Sequence, residues 1–334
     1  MSERWPGGII RSTPVTPAGP AQNGAAPGVW TLADAAYWTK QGLWPTAGNI
    51  ADGTFGIFAL GANISTRNKY TYSGDVVGAA TASTATSQYG SAAGDTAKGI
   101  FALGGTPSSS TTRDKYTYSG CVVTAGTAAT TASQQGSAAG NSTVGIFALG
   151  LAGAVRVTTR DKYTYSGDVV SAGGAATAAS RTGSAAGNST VGIFALGCVG
   201  GVRSSTRNKY TYSGDVVSAG GSATSSSTCG SATGNSTVGI FALGFTFAAV
   251  TTRDKYTYSG CVVTTGGAAT TASGVGSATG NSVVGIFALG ATPSATAARD
   301  KYTYSGCVVT TGTAATAASP YGSAAGNGTL GVNT

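Results

Sequence analysis

Gly99-Ile100-Phe101-Ala102-Leu103-Gly104 and, a little further on, Lys115-Tyr116-Thr117-Tyr118-Ser119-Gly120 are the two stretches that decide how this chain folds. Each occurs six times. The second begins at Lys69, Lys115, Lys162, Lys209, Lys255 and Lys301, at intervals of 46, 47, 47, 46 and 46 residues. The first begins at Gly56, Gly99, Gly145, Gly192, Gly239 and Gly285. A fixed period of this size marks a propeller, a solenoid or an array.

Around these two stretches each unit carries four candidate strands. In the second unit they are Tyr89–Ala93, Lys98–Leu103, Asp114–Tyr118 and Cys121–Ala125, each short and stopped by Gly or Asn. Tyr116 and Tyr118 alternate onto one face, as a strand requires. Four strands in roughly 45 residues is the arithmetic of a propeller blade. The first unit lacks its opening strand, and Pro320–Asn327 repeats that missing strand near the C-terminus. The sequence therefore predicts an all-β, six-bladed β-propeller of four-stranded antiparallel blades, closed when Tyr321–Ala325 pairs beside Gly56–Leu60. Closure of this kind removes an open sheet edge. The expected boundaries are an N-terminal arm over 1–51 and the propeller over 52–334.

Composition agrees with many short strands and thin packing: 54 of 334 residues are glycine and only 9% are charged. No run approaches the roughly 18 apolar residues of a membrane helix, and Met1–Pro17 lacks the apolar core of a signal peptide, so a soluble chain without membrane insertion is expected. Cys121, Cys261 and Cys307 occupy the repeat position held by Asp75, Asp168 and Asp215 in the other units. A place that accepts either residue reads as a small turn, so the cysteines are expected to be free thiols, with no metal and no cofactor. Twelve of the nineteen basic residues come from six copies of Arg-(Asp/Asn)-Lys. That triplet reads as a solvated turn with local ion pairs, or as a ring of cations facing an acidic glycan. Nucleic acid is not expected as a partner, because the charge is neither concentrated nor interleaved with exposed aromatics.

The order Gly-Ser-Ala, then Gly-Ile-Phe-Ala-Leu-Gly, then Lys-Tyr-Thr-Tyr resembles the kelch-type propeller. The chain departs from that family in lacking a Trp in the fourth strand, and only Leu103-Gly104-Gly105 keeps the double glycine. The resemblance covers about residues 52–334 and implies the propeller architecture.

The N-terminal segment is a different kind of sequence. It holds all four tryptophans, Trp5, Trp30, Trp38 and Trp44. Residues 6–28 are rich in Pro, Gly and Ala and read as extended. Thr31 can cap one short helix over about 32–41, which Gly42 ends. Trp5, Trp30, Tyr37, Trp38 and Trp44 are candidate docking residues for another subunit, or they pack on the propeller's flank. Trp5-Pro6-Gly7-Gly8-Ile9-Ile10, Pro27-Gly28-Val29-Trp30-Thr31-Leu32 and Gln41-Gly42-Leu43-Trp44-Pro45 resemble N-terminal segments of bacteriophage virion proteins, tail-associated ones in particular. That resemblance implies a virion component, made in the bacterial cytoplasm, whose arm attaches to other virion subunits while the propeller projects.

In an up-and-down blade the second-to-third loops and the links between blades share one face. Those are the segments that vary between units, while the turns on the other face hardly change. Variable loops on a rigid scaffold are where recognition is usually placed. Tyr89, Gln134, Arg156, Arg181, Arg203, Phe245, Phe247 and Tyr321 are the candidate ligand-binding residues on that face. The chain has no histidine, and Glu3 is its one glutamate. No nucleophile–histidine–acid set, histidine metal site or phosphate loop can be assembled, and paired aspartates would be the route left to hydrolysis. The expectation is a non-enzymatic phage structural protein that binds a host surface glycan or protein. The alternatives are an architectural virion subunit without a ligand, and a bacterial kelch-like interaction module. Deleting residues 1–50 is expected to leave the repeat region folded and to abolish incorporation into particles, checked by thermal melting and by an assembly assay.

Overall fold

The computed structural model describes residues 53–328 apart from 106, 107 and 293, together with Ala33, Asp34 and Tyr37, which have helical backbone. The remaining positions of the expected helix, and Trp5, Trp30, Trp38 and Trp44, lie outside the described residues. The chain divides into two compact units, Met1–Asp52 and Gly53–Thr334.

Among the described residues of the second unit the fold is all-β and propeller-like. Six antiparallel sheets have four strands each. In the second repeat the strands are Ser91–Gly94, Lys98–Ala102, Arg113–Thr117 and Val122–Gly126, paired in chain order. The first repeat draws its innermost strand from the other end of the chain. Ser323–Gly326 pairs antiparallel with Phe55–Ala59, in the register Gly56 opposite Gly326 and Ala59 opposite Ser323. The pairing expected from the repeats is present, shifted toward the C-terminus by one to two residues.

Small residues in the innermost strands follow from crowding. Each reads Ser-Ala-(Ala/Thr)-Gly and is fully buried. Gly99, on the neighbouring strand, has no room for a side chain: a Cβ there would sit 2.8 Å from Tyr118 Oη and 2.9 Å from the Cβ of Ala325. Outward from this layer, each sheet packs its Ile face on the Phe-Tyr face of the next. Ile57 of the first repeat meets Phe101, Tyr116 and Tyr118 of the second. The same pairing recurs between every two neighbours, including Ile286 of the sixth repeat against Phe58, Tyr70 and Tyr72 of the first. Among the described residues no single thick core exists. Six thin ones do.

The Arg-(Asp/Asn)-Lys triplets overturn the reading of solvated turns. They lie on the third strand of each sheet, and their Arg and Asp or Asn are fully buried. Each Arg reaches into the next repeat. Arg67 donates to Asp114, Arg113 to Asp161, Arg207 to Asp254 and Arg253 to Asp300, at 2.7–2.8 Å. At the two other boundaries the acceptor is neutral: Arg160 donates to Asn208 at 3.1 Å and Arg299 to Asn68 at 3.3 Å. The acceptor is also held by the link between repeats. Asp114 accepts from the Thr84 backbone N–H at 3.0 Å and from its hydroxyl at 2.5 Å. Asp114, Asp161 and Asp254 are thus strand residues inside the protein, and the triplets do not form a ring of cations at its surface. Each guanidinium also stacks on a Phe of the neighbouring repeat, 4.4–4.7 Å from the ring centre.

Burial lowers every one of these arginines, and the facing aspartate opposes the shift at four boundaries. Without a carboxylate, Arg160 and Arg299 are pulled down to about 10. The Asp/Cys position is a turn as expected, with φ of 53–55°. Where it is Asp it does more, pairing with the lysine of the preceding repeat, as Lys162 does with Asp215 at 2.9 Å and Lys301 with Asp75 at 3.0 Å; Lys115 and Asp168 pair in the same way.

Removing one partner of a buried ion pair strands the other, so Asp161→Ala is expected to cost about 3–5 kcal/mol. Asp161→Asn should cost clearly less, because it recreates the arrangement that Arg160 already has with Asn208. Denaturant unfolding of the two variants beside the parent protein checks the order.

Candidate functional site at the variable end of the repeats

The two variable sets of segments meet. In the third repeat Ser133–Gln134, Leu151–Ala152 and Val155–Arg156 form a three-stranded sheet, with Leu151 opposite both Gln134 and Arg156. In the fourth, Ser180–Arg181, Cys198–Val199 and Val202–Arg203 do the same, with Cys198 opposite both Arg181 and Arg203. These two small sheets were not foreseen. Their loops are one residue longer than those of the second, fifth and sixth repeats and four longer than that of the first, and Gly153, Gly200 and Gly201 take the positive φ that a tight hairpin needs. The shorter loops manage only single bridges to the link, such as Thr228 to Phe245 and Gly274 to Ala291.

Beneath them runs a circuit of backbone hydrogen bonds. The N–H of Gln135 donates to the carbonyl of Tyr89, Thr182 to Gln135, Cys229 to Thr182, Val275 to Cys229, Tyr321 to Val275, and Tyr89 back to Tyr321, at 2.7–2.9 Å. All six residues have φ between 53° and 60°. Their side chains ring a cavity of about 60 Å³ floored by glycines. A larger cavity of about 490 Å³ adjoins it, bounded also by Arg181, Arg203 and Phe245.

The candidate residues divide accordingly. Tyr89, Tyr321, Arg181, Arg203 and Phe245 line the larger cavity. The Tyr89 and Tyr321 rings pack 4.2 Å apart, and burial together with Tyr321 pushes the Tyr89 hydroxyl up to about 12. Gln134 does not line it. Strand alternation turns Gln134 toward a crevice between repeats, and its neighbour Gln135 faces the cavity and accepts from Arg181 at 3.2 Å. Arg156 lies on the adjoining hairpin, outside the lining. Phe247 is also outside it, 95% exposed, with the Arg203 guanidinium 5.4 Å from its ring centre. Gln135, Thr182, Cys229 and Val275 stand in the variable links between repeats but were not among the candidate binding residues. Their common signal is position: each precedes the glycine that opens a Gly-Ser-(Ala) strand.

The opposite turns owe their constancy to a structural cause. Asn141 Oδ1 accepts from the N–H groups of Thr143 and Val144, and its Nδ2 donates to Ser189 of the next repeat. Asn188 and Asn235 repeat the arrangement. Those turns are fixed by the same hydrogen bonds in each of these repeats, whereas the side-chain contacts at the variable end, such as Arg181 to Gln135 and Thr182 to Thr228, differ from repeat to repeat.

Among the described residues no group of three or more His, Cys, Asp or Glu is placed to hold a metal, and no helix is long and apolar enough to cross a membrane. No protein-family model matches the chain, and no curated protein matches it in sequence. Similarity is found among solved structures. One titled "Structure of YjhT" superposes with a TM-score of 0.58 at 8% identity, covering 79% of this chain and 98% of that one. At that identity the likeness is one of fold, and it places the repeats in the propeller-like all-β class.

Val275 and Thr182 are the most strained members of the circuit, since a β-branched residue is disfavoured at positive φ. Val275→Asn keeps the backbone N–H and is expected to raise stability by about 1 kcal/mol. Thermal melting checks it.

Proposed function

We propose that this protein is a non-enzymatic bacteriophage virion component, a closed six-bladed propeller of kelch-like organisation that presents its variable end for recognition of a host surface. Three six-fold sets support the closed ring: the apolar cores, the Arg-to-Asp/Asn contacts and the backbone circuit, each returning from the sixth repeat to the first. Sequence resemblance of the N-terminal segment supports the virion assignment, and attachment to other virion subunits through that segment follows from it.

The observation that carries recognition is the cavity of about 490 Å³ at the variable end, where tyrosines, arginines and Phe245 converge. Such side chains anchor contacts more often than others do, and the volume is within the usual range for ligand sites. A hydrolytic role has little support. Asp114, Asp161, Asp254 and Asp300, the buried strand carboxylates, are already taken by arginine and threonine.

Adsorption of labelled protein to a panel of bacterial cells tests the reading. Arg181→Ala and Phe247→Ala are each expected to weaken adsorption by about 1–2 kcal/mol, with melting changed by no more than about 0.5 kcal/mol. Unchanged adsorption by the double variant would leave an architectural subunit as the better account.

A further inference from the structure

Charge on the variable end is one-sided. None of the links between repeats and none of the second-to-third loops contains an Asp or Glu. Among the described residues of the repeats, every carboxylate lies elsewhere: on the buried third strands at 114, 161, 254 and 300, in the Asp/Cys turns at 75, 168 and 215, or at Asp95 in a first-to-second turn. Three arginines stand on this end, and all belong to the third and fourth repeats. Arg181 and Arg203 flank Cys198 on adjacent strands, so their side chains leave the same face of one small sheet. Arg156 is on the neighbouring hairpin, and its Nη2 comes within 3.9 Å of the space a side chain at Gly201 would take.

These guanidiniums are incompletely used. The Nε atoms of Arg156 and Arg181 are buried and have no hydrogen-bond partner among the described residues. Arg181 spends Nη1 on the neutral Gln135, and Arg203 rests against Phe247. Arginines left without counter-charge and with spare donors suit a planar, doubly accepting anion, which a carboxylate is. The same cavity holds the paired rings of Tyr89 and Tyr321. Aromatic faces beside hydroxyl and amide groups suit the apolar side and the hydroxyl rim of a sugar ring.

From this we infer that the cavity binds a carboxylate-bearing saccharide, with Arg181 and Arg203 on the carboxylate and Tyr89 and Tyr321 against the ring. The inference rests on reading this end as a recognition surface and names the ligand class. The acidic-glycan idea thus moves from the repeated triplets, whose arginines are buried, to the three arginines outside the repeat pattern.

Calorimetric titration of the full chain with D-galacturonate, with D-galactose and with inorganic phosphate tests it. The expected result is saturable binding of the uronate, none of galactose at the same concentration, and phosphate at least tenfold weaker. Arg181→Gln and Arg203→Gln should each raise the uronate Kd about tenfold at unchanged melting temperature, while Lys209→Gln, remote from this end, should leave it as it was. Equal binding of galactose, phosphate binding as tight as the uronate, no uronate binding, or indifference to both arginine variants would overturn the inference. A protein that adsorbs to cells through Arg181 and Phe247 yet ignores the uronate overturns this ligand class and leaves the recognition reading standing.

Discussion

The contact on which the fold depends is the buried guanidinium that each repeat extends into the next. It satisfies three demands at one place. It meets the carboxylate or amide of the adjoining third strand, it covers that strand's aromatic partner, and through the shared acceptor it ties down the link threonine. Buried ion pairs are weak sources of net stability, because desolvation offsets most of the attraction. Their stronger effect is on specificity. Thin apolar layers of Ile on Phe and Tyr would tolerate a sheet sliding against its neighbour, whereas a charge that finds its partner at one register penalises every other register.

Two boundaries relax that rule. Where Asn208 and Asn68 replace aspartate, the hydrogen bond persists and the compensating charge does not. Counted around the six repeats, these boundaries stand three apart. The arrangement holds with an amide as acceptor, so geometry and hydrogen bonding matter at that site alongside charge.

The repeat architecture was legible because its signals are local: Gly stops, period-two tyrosines and a surplus strand at one end paired with a deficit at the other. The role of Arg67 was not, since charged residues default to the surface and its partner is 47 positions away. One clue was present. The residue after each Arg is Asp or Asn and nothing else, so a side-chain oxygen is kept while the charge is not. At the variable end, Gln135 and not Gln134 borders the cavity, because the backbone turns left-handed at the second of the two positions, which no side-chain preference there announces: Tyr, Gln, Thr, Cys, Val and Tyr occupy it. The extra hairpins at Leu151–Arg156 and Cys198–Arg203 go with one additional residue per loop over the second, fifth and sixth repeats, visible as length and not read as structure.

The circuit through residues 89, 135, 182, 229, 275 and 321 uses only peptide N–H and C=O groups. The circuit itself does not depend on which side chain stands at these positions, although Gln135 and Thr182 add side-chain contacts to a neighbouring repeat, and all six side chains border the cavity. Residues as different as Tyr, Gln, Thr, Cys and Val can therefore follow one another here while the backbone contacts that join the repeats persist. At this end of the repeats the letters can be rewritten while the grammar stays fixed.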